Sequence, residues 1–151
     1  MDDLVTQPIT GKCLCGAVEF QLSAVEICAH CHCQYCRLSS GAAFVTWIVV
    51  PLAAFMILAG EDQIQWYRSS AQSQRGFCRS CGSAMLFKSS LCPGEIHVTR
   101  ANIQGELNLP PKYHCFIDQK AEWITVNDGV ACLSSDSSEL APYRQVERLD
   151  R

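Results

Sequence analysis

Three cysteines fall within six residues in Cys31-His32-Cys33-Gln34-Tyr35-Cys36, with Arg37 directly after them. No other stretch restricts the fold as tightly. Thiols this close are poorly placed to pair with one another and well placed to converge on one point. A thiolate is a soft ligand with high affinity for zinc. Three ligands from one segment leave a tetrahedral ion one corner short, and a function can sit at that corner.

Two further clusters flank this one. Gly11-Lys12-Cys13-Leu14-Cys15-Gly16 precedes it, and Gly76-Phe77-Cys78-Arg79-Ser80-Cys81-Gly82 follows it as a C-x-x-C knuckle. Gly16 and Gly82 each close a thiol pair, where a tight turn can bring backbone N–H groups toward sulfur and stabilise thiolate charge. A closed structural zinc takes four protein ligands, whereas a reactive one takes three and keeps an exchangeable position. The simplest partition is one zinc on Cys13, Cys15, Cys78 and Cys81 and a second on Cys31, Cys33 and Cys36. Spacing alone leaves other groupings open, such as the first pair joined to part of the triplet. Cys28, Cys92, Cys115 and Cys132 lack partners at ligand spacing and read as small buried hydrophobes.

The chain carries eleven cysteines, and that odd count suits a full disulfide framework badly. Met1-Asp2-Asp3 is acidic and no apolar run follows, so nothing there reads as an export signal. Dense thiols with no export route are expected to stay reduced and to bind metal, which places the protein in the cytoplasm. The longest apolar stretch, from Ala42 to Ala59, is interrupted by Thr46 and Pro51 and is too short for a membrane span. A net charge of -3 opposes binding to a nucleic-acid backbone, which calls for a basic excess.

Val18, Phe20 and Leu22 alternate with polar or small residues as a half-buried strand does. Ala42 to Val50 is apolar or β-branched and reads as a central strand buried on both faces, ended by Pro51. Leu52 to Phe55 suits one helical turn. Gln63 to Arg68, Met85 to Phe87 and Glu95 to Arg100 continue the strand series, with Cys115 to Ile117 and Trp123 to Val126 as its last members. Helical periodicity is almost absent apart from a short helix near Tyr143-Arg144. Short strands separated by glycine turns indicate an all-β domain. The expected organisation is a loose tail over residues 1–9, a zinc-binding domain over 10–125 and a peripheral segment over 126–151.

Gly-x-Cys-x-Cys-Gly, Cys-His-Cys-x-x-Cys-Arg and Phe-Cys-x-x-Cys-Gly, in that order, resemble the glutathione-dependent formaldehyde-activating enzyme family, which includes centromere protein V. The likeness spans roughly residues 10–125. It takes in Tyr67-Arg68-Ser69-Ser70 and a looser echo at His114 to Asp118 with Trp123. The resemblance implies a β-tent, two packed antiparallel sheets pinned by a structural zinc, and the same partition of thiols. It also implies carbon–sulfur lyase activity, the making or breaking of S-hydroxymethylglutathione from formaldehyde and glutathione. The chain is short beside the longer enzymes of that name.

On this reading a substrate thiol enters the open corner of the second zinc and becomes a nucleophile toward an aldehyde. Arg37 is expected either to pair with a carboxylate of glutathione through its guanidinium fork or to offset the charge of the cysteinates. His32, between two ligands, points away from the metal by alternation. It acts as an acid or base or, more simply, as a partly exposed spacer. His30 would close the second site if it supplied the fourth ligand. His97 and His114 read as core or hydrogen-bonded residues, and Trp47, Trp66 and Trp123 as core or pocket walls. The competing function is a non-catalytic zinc-binding module that presents a surface to a protein partner or carries a thiol. A thiol-redox role for Cys31 and Cys36 requires the metal to be absent.

Overall fold

The computed structural model describes residues 7–144. Of the tail expected over residues 1–9, positions 1–6 lie outside the described residues, and buried Ile9 already opens the first strand. Positions 145–151 of the expected C-terminal segment lie outside them as well.

The fold is all-β, built from two packed sheets. Strands β1 (Ile9–Lys12), β2 (Glu19–Leu22) and β5 (Phe55–Ala59) make a three-stranded antiparallel sheet in the order β1-β2-β5. The larger sheet contains β3 (Ile27–Cys31), β4 (Val45–Pro51), β6 (Ile64–Arg68), β7 (Ser73–Cys78), β8 (Ala84–Ser89), β9 (Glu95–Thr99), β10 (Tyr113–Cys115) and β11 (Ala131–Leu133). Its order is β11-β10-β3-β4-β9-β8-β7-β6. Pairing is antiparallel except at one end, where β10 runs parallel to both β3 and β11.

Alternation along the central strands decides what each face of the large sheet carries. Cys28, Ile48, Val50, Leu86, Ile96 and Val98 point toward the small sheet and pack with Phe20 and Leu22 in the main core. Their neighbours in sequence, Ala29, Trp47, Val49, Phe87 and His97, line a cavity on the opposite face. The expectation that the strand before Pro51 is covered on both sides therefore holds for Trp47 to Val50, all buried. The strand itself starts at Val45 and includes Pro51 as its last residue.

Four local expectations are corrected. The triple-cysteine stretch runs into a helix, α1 (Gln34–Ser40), where helical periodicity gives no sign of one; Cys33 caps it, its Sγ accepting from the Cys36 N–H at 3.3 Å. Trp123 to Val126 forms no strand, and Trp123 is 71% exposed, so it walls neither core nor pocket. The strand at Cys115 stops there because Phe116 turns left-handed (φ 57°) into a single 3-10 turn. Cys132 is exposed rather than buried. The turn expected after Pro51 is present as a 3-10 turn over Leu52–Ala54, and the one near Tyr143 as Ser138–Tyr143.

One loop contact leaves no room for a side chain. Gly60 is left-handed (φ +78°), and a Cβ there would lie 1.9 Å from the Ala17 carbonyl oxygen. Gly60→Ala is expected to destabilise the metal-loaded protein by about 3 kcal/mol, combining the left-handed penalty with a backbone clash. Gly94→Ala, where a Cβ meets nothing within 4 Å, should stay within about 0.5 kcal/mol in the same denaturant titration.

Candidate metal centres and the cavity beside them

The first thiol group joins two distant turns. Cys13 and Cys15 lie on the loop between β1 and β2, and Cys78 and Cys81 on the loop between β7 and β8. All four sulfurs lie within 4.8 Å of one another, with Cys13–Cys15 at 3.6 Å and Cys15–Cys78 at 3.8 Å. A tetrahedron with bonds of about 2.3 Å to sulfur has edges of about 3.8 Å, so the spacing fits zinc. Gly16 and Gly82 are both left-handed, as the knuckles require, at φ 80° and 78°. The Val18 N–H donates to Cys13 Sγ at 3.3 Å, and the Leu14 N–H reaches Ser83 Oγ at 2.9 Å, linking the two turns. The Ser83 hydroxyl and N–H, with the Cys15 N–H adding, hold the Cys81 thiol down at about 5.

The second group also converges. Cys31 ends β3, Cys33 caps α1, Cys36 sits in its first turn, and the three sulfurs lie within 4.8 Å of each other. Cys36 and Cys31 are 3.4 Å apart. Among the described residues no histidine or carboxylate joins this set. His30, the residue that would have closed it, faces the other way, its Nδ1 paired with Thr46 Oγ1 at 2.8 Å. Three thiolates around a divalent ion leave one negative charge in a largely dry place, which demands a partner.

That partner is Arg75, a residue the sequence reading did not single out. It is 8% exposed, and its Nη1 and Nη2 stand 3.6 and 3.7 Å from Cys36 Sγ. Its Nη1 also donates to Ser39 Oγ at 3.2 Å, and the guanidinium lies over the Phe87 ring at 5.1 Å. Trp47 adds an indole N–H to the same sulfur at 3.4 Å. The Cys31 and Cys33 thiols, with Arg75 and Trp47 adding, hold Cys36 well below its ordinary value. An arginine at an inward position of an alternating strand was the available signal.

Arg37 takes another place. It is half-buried and lines a shallow polar cleft with Gln34, Tyr35, Asp118, Gln119 and Lys120, outside the cavity that the thiols border. His32 does point away from the thiols, but it is fully buried rather than a partly exposed spacer. Its Nε2 pairs with His114 Nδ1 at 2.8 Å, and His114 Nε2 pairs with Asp128 Oδ2 at 2.8 Å. Burial, with His114 and His30 adding, pushes His32 down to about 4. The chain of rings ties the thiol loop to β10 and the turn beyond it.

The cavity has a volume of about 220 Å³. Cys31, Cys33 and Cys36 form one part of its wall, with Cys115 beside them, paired in register with Cys31 on the neighbouring strand. Burial pushes the Cys115 thiol up to about 11, so it stays a neutral neighbour of the set. This corrects its reading as an isolated hydrophobe. Two other clusters have metal-compatible spacing: His30, His114 and Asp128, and Cys92, Glu95 and His97. Both are already hydrogen-bonded internally, His114 to Asp128 at 2.8 Å and His97 to Glu95 at 3.0 Å.

Residues 8–119 match the family model described as glutathione-dependent formaldehyde-activating enzyme. A Halomonas elongata protein, provisionally named a glutathione-dependent formaldehyde-activating enzyme, is 24% identical over 126 residues, covering 78% of this chain and 80% of its own. An uncharacterised lyase of Schizosaccharomyces pombe is 29% identical over 83 residues, covering 51% of this chain and 55% of that protein. A crystal structure of a Rhodobacter sphaeroides protein matches with a TM-score of 0.54 at 25% identity, over 66% of this chain and 91% of the other.

Removing the charge beside Cys36 tests the electrostatic account. Arg75→Met is expected to weaken zinc binding at the three-thiol site by roughly 10–100-fold, the range for loss of a group that supports metal ligands. Arg68→Met, on an exposed strand end, should leave it unchanged. Zinc competition against a calibrated chelator measures both.

Proposed function

This chain belongs to the glutathione-dependent formaldehyde-activating enzyme family, and we propose that it is a zinc-dependent carbon–sulfur lyase acting on a thiol–aldehyde adduct of the S-hydroxymethylglutathione type. One observation carries the reading: three thiols, with no histidine or carboxylate at ligand distance among the described residues, converge on the wall of a cavity large enough for a substrate. When bound there, zinc supplies a soft Lewis acid that lowers the pKa of an incoming thiol toward neutrality.

The protein's own groups divide the remaining work. Cys31, Cys33 and Cys36 would supply three ligands to the ion, from the wall of the cavity. Arg75 and the Trp47 N–H balance the charge on Cys36, which keeps three thiolates tolerable in a buried place. His32 is a positioning residue: it does not line the cavity, and its Nε2 pairs with His114. Arg37 and Lys120, together in the polar cleft beside α1, offer cationic partners to the carboxylates of glutathione. Cys13, Cys15, Cys78 and Cys81 hold a purely structural zinc that fastens the small sheet to the large one.

All eleven cysteines are free, in keeping with a reducing, cytoplasmic setting. No helix among the described residues is long and apolar enough to cross a membrane.

Metal analysis should find two zinc ions per chain in the wild type and one in Cys33→Ser, with the fold retained by circular dichroism. Turnover of the glutathione–formaldehyde adduct by that variant should fall by at least about 100-fold. One zinc in the wild type, or unaltered turnover in the variant, would overturn the assignment.

A further inference from the structure

The space beside the three thiols is larger and drier than formaldehyde requires. A cavity of about 150 Å³ lined by leucine, isoleucine and phenylalanine is enough to admit benzene; this one is about 220 Å³. Trp47, Val49 and Phe87 supply its sheet side, and Phe116, Leu133 and Leu140 supply much of the rest. Among the described residues, the only fixed cation on its wall is Arg75, already engaged by Cys36 and Ser39, and the only carboxylate is Glu139. Glutathione carries two carboxylates and an ammonium, which such a lining would strip of water without compensation. The void therefore suits the carbon side of the carbon–sulfur bond, not the thiol's charged ends.

We infer that the physiological aldehyde is an apolar one of about four to six carbons, its chain seated in this cavity, with His97 as the acid–base group for the adduct's hydroxyl. This rests on the lyase reading and names its substrate class. His97 lines the cavity, and its Nε2 pairs with Glu95 Oε2 at 3.0 Å. Glu95 is held in turn by the Tyr143 hydroxyl, which donates at 3.1 and 3.3 Å to its two oxygens. The other ring nitrogen, Nδ1, makes no hydrogen bond among the described residues. An imidazole oriented by a carboxylate, with one nitrogen left over, is equipped to take and return a proton.

In the cleavage direction Nδ1 removes the hydroxyl proton of the adduct. The O–H electron pair becomes the carbonyl π bond, the carbon–sulfur bond breaks, and its pair leaves on sulfur as thiolate. Addition runs the same steps backward, the imidazolium returning its proton to the carbonyl oxygen. No oxidant or reductant enters.

The test uses the zinc-loaded full chain with glutathione and linear aldehydes from acetaldehyde to hexanal, followed by exchange NMR. kcat/KM should rise roughly fourfold per added methylene until the cavity is full; a flat or falling series overturns the inference. Ala29→Leu, which projects into the cavity, should abolish the rise. Binding of unreactive pentanol, read from methyl shifts, keeps the question open to refutation even if that variant fails to fold. His97→Gln should lower kcat by about 100-fold or more while leaving pentanol binding intact; equal loss of both would reduce His97 to a packing residue and remove its proposed role. Turnover of formaldehyde without pentanol binding would overturn the apolar aldehyde and leave the lyase. Pentanol binding with no turnover of any aldehyde would overturn the lyase reading and the aldehyde with it.

Discussion

A sheet covered on both faces is the constraint on which the rest of this molecule depends. In β3, β4, β8 and β9, successive side chains serve two different interiors. One is the hydrocarbon core shared with the small sheet; the other is the cavity that carries the thiols. The spacing of side chains along a strand has a period of two, so neither face can be altered by a register slip without exchanging the two interiors. The main core thereby sets the position of the cavity residues on these strands, and Ile48 and Val50 fix where Trp47 and Val49 point.

The second constraint is charge. Three thiolates with one divalent ion would be an isolated anion in apolar surroundings, and Arg75 meets it from two strands beyond β9. The guanidinium suits the task better than an ammonium would, because its plane can also lie on Phe87 while two nitrogens face one sulfur. The four-thiol site has a different balance. It lies nearer the surface, with Cys15 exposed, and the Val18 N–H donates to Cys13 Sγ.

The cavity and the polar cleft beside α1 are two chemically different surfaces, one mostly apolar and one charged. Arg37, Asp118 and Lys120 border the cleft, whereas apolar side chains make most of the cavity wall. The hexapeptide that holds the three thiols contributes to both, with Cys31, Cys33 and Cys36 on one side and Gln34 and Tyr35 on the other. His32, between them, is spent on the His114–Asp128 chain, which anchors the segment from behind.

What the sequence determined by itself is what short spacing can carry. Cysteines two to five positions apart can meet through a single turn, so the two pairs and the triplet were legible, with left-handed Gly16 and Gly82 closing the pairs; that Cys13 and Cys15 meet Cys78 and Cys81 was decided by the tertiary structure. Alternation at Val18, Phe20 and Leu22, and the apolar, β-branched run ending at Val50, marked strands because each strand's burial is a local pattern. The helix at Gln34–Ser40 escaped that logic, since seven residues capped by a cysteine show little periodicity. Trp123 misled because an aromatic residue does not announce which side of a turn it will face. Only the tertiary structure brought Arg75 to Cys36 across 39 positions and His114 to His32 across 82. Those meetings depend on sheet order and on the parallel pairing of β10 with β3, which joins residues far apart in the chain and leaves no local mark in the sequence.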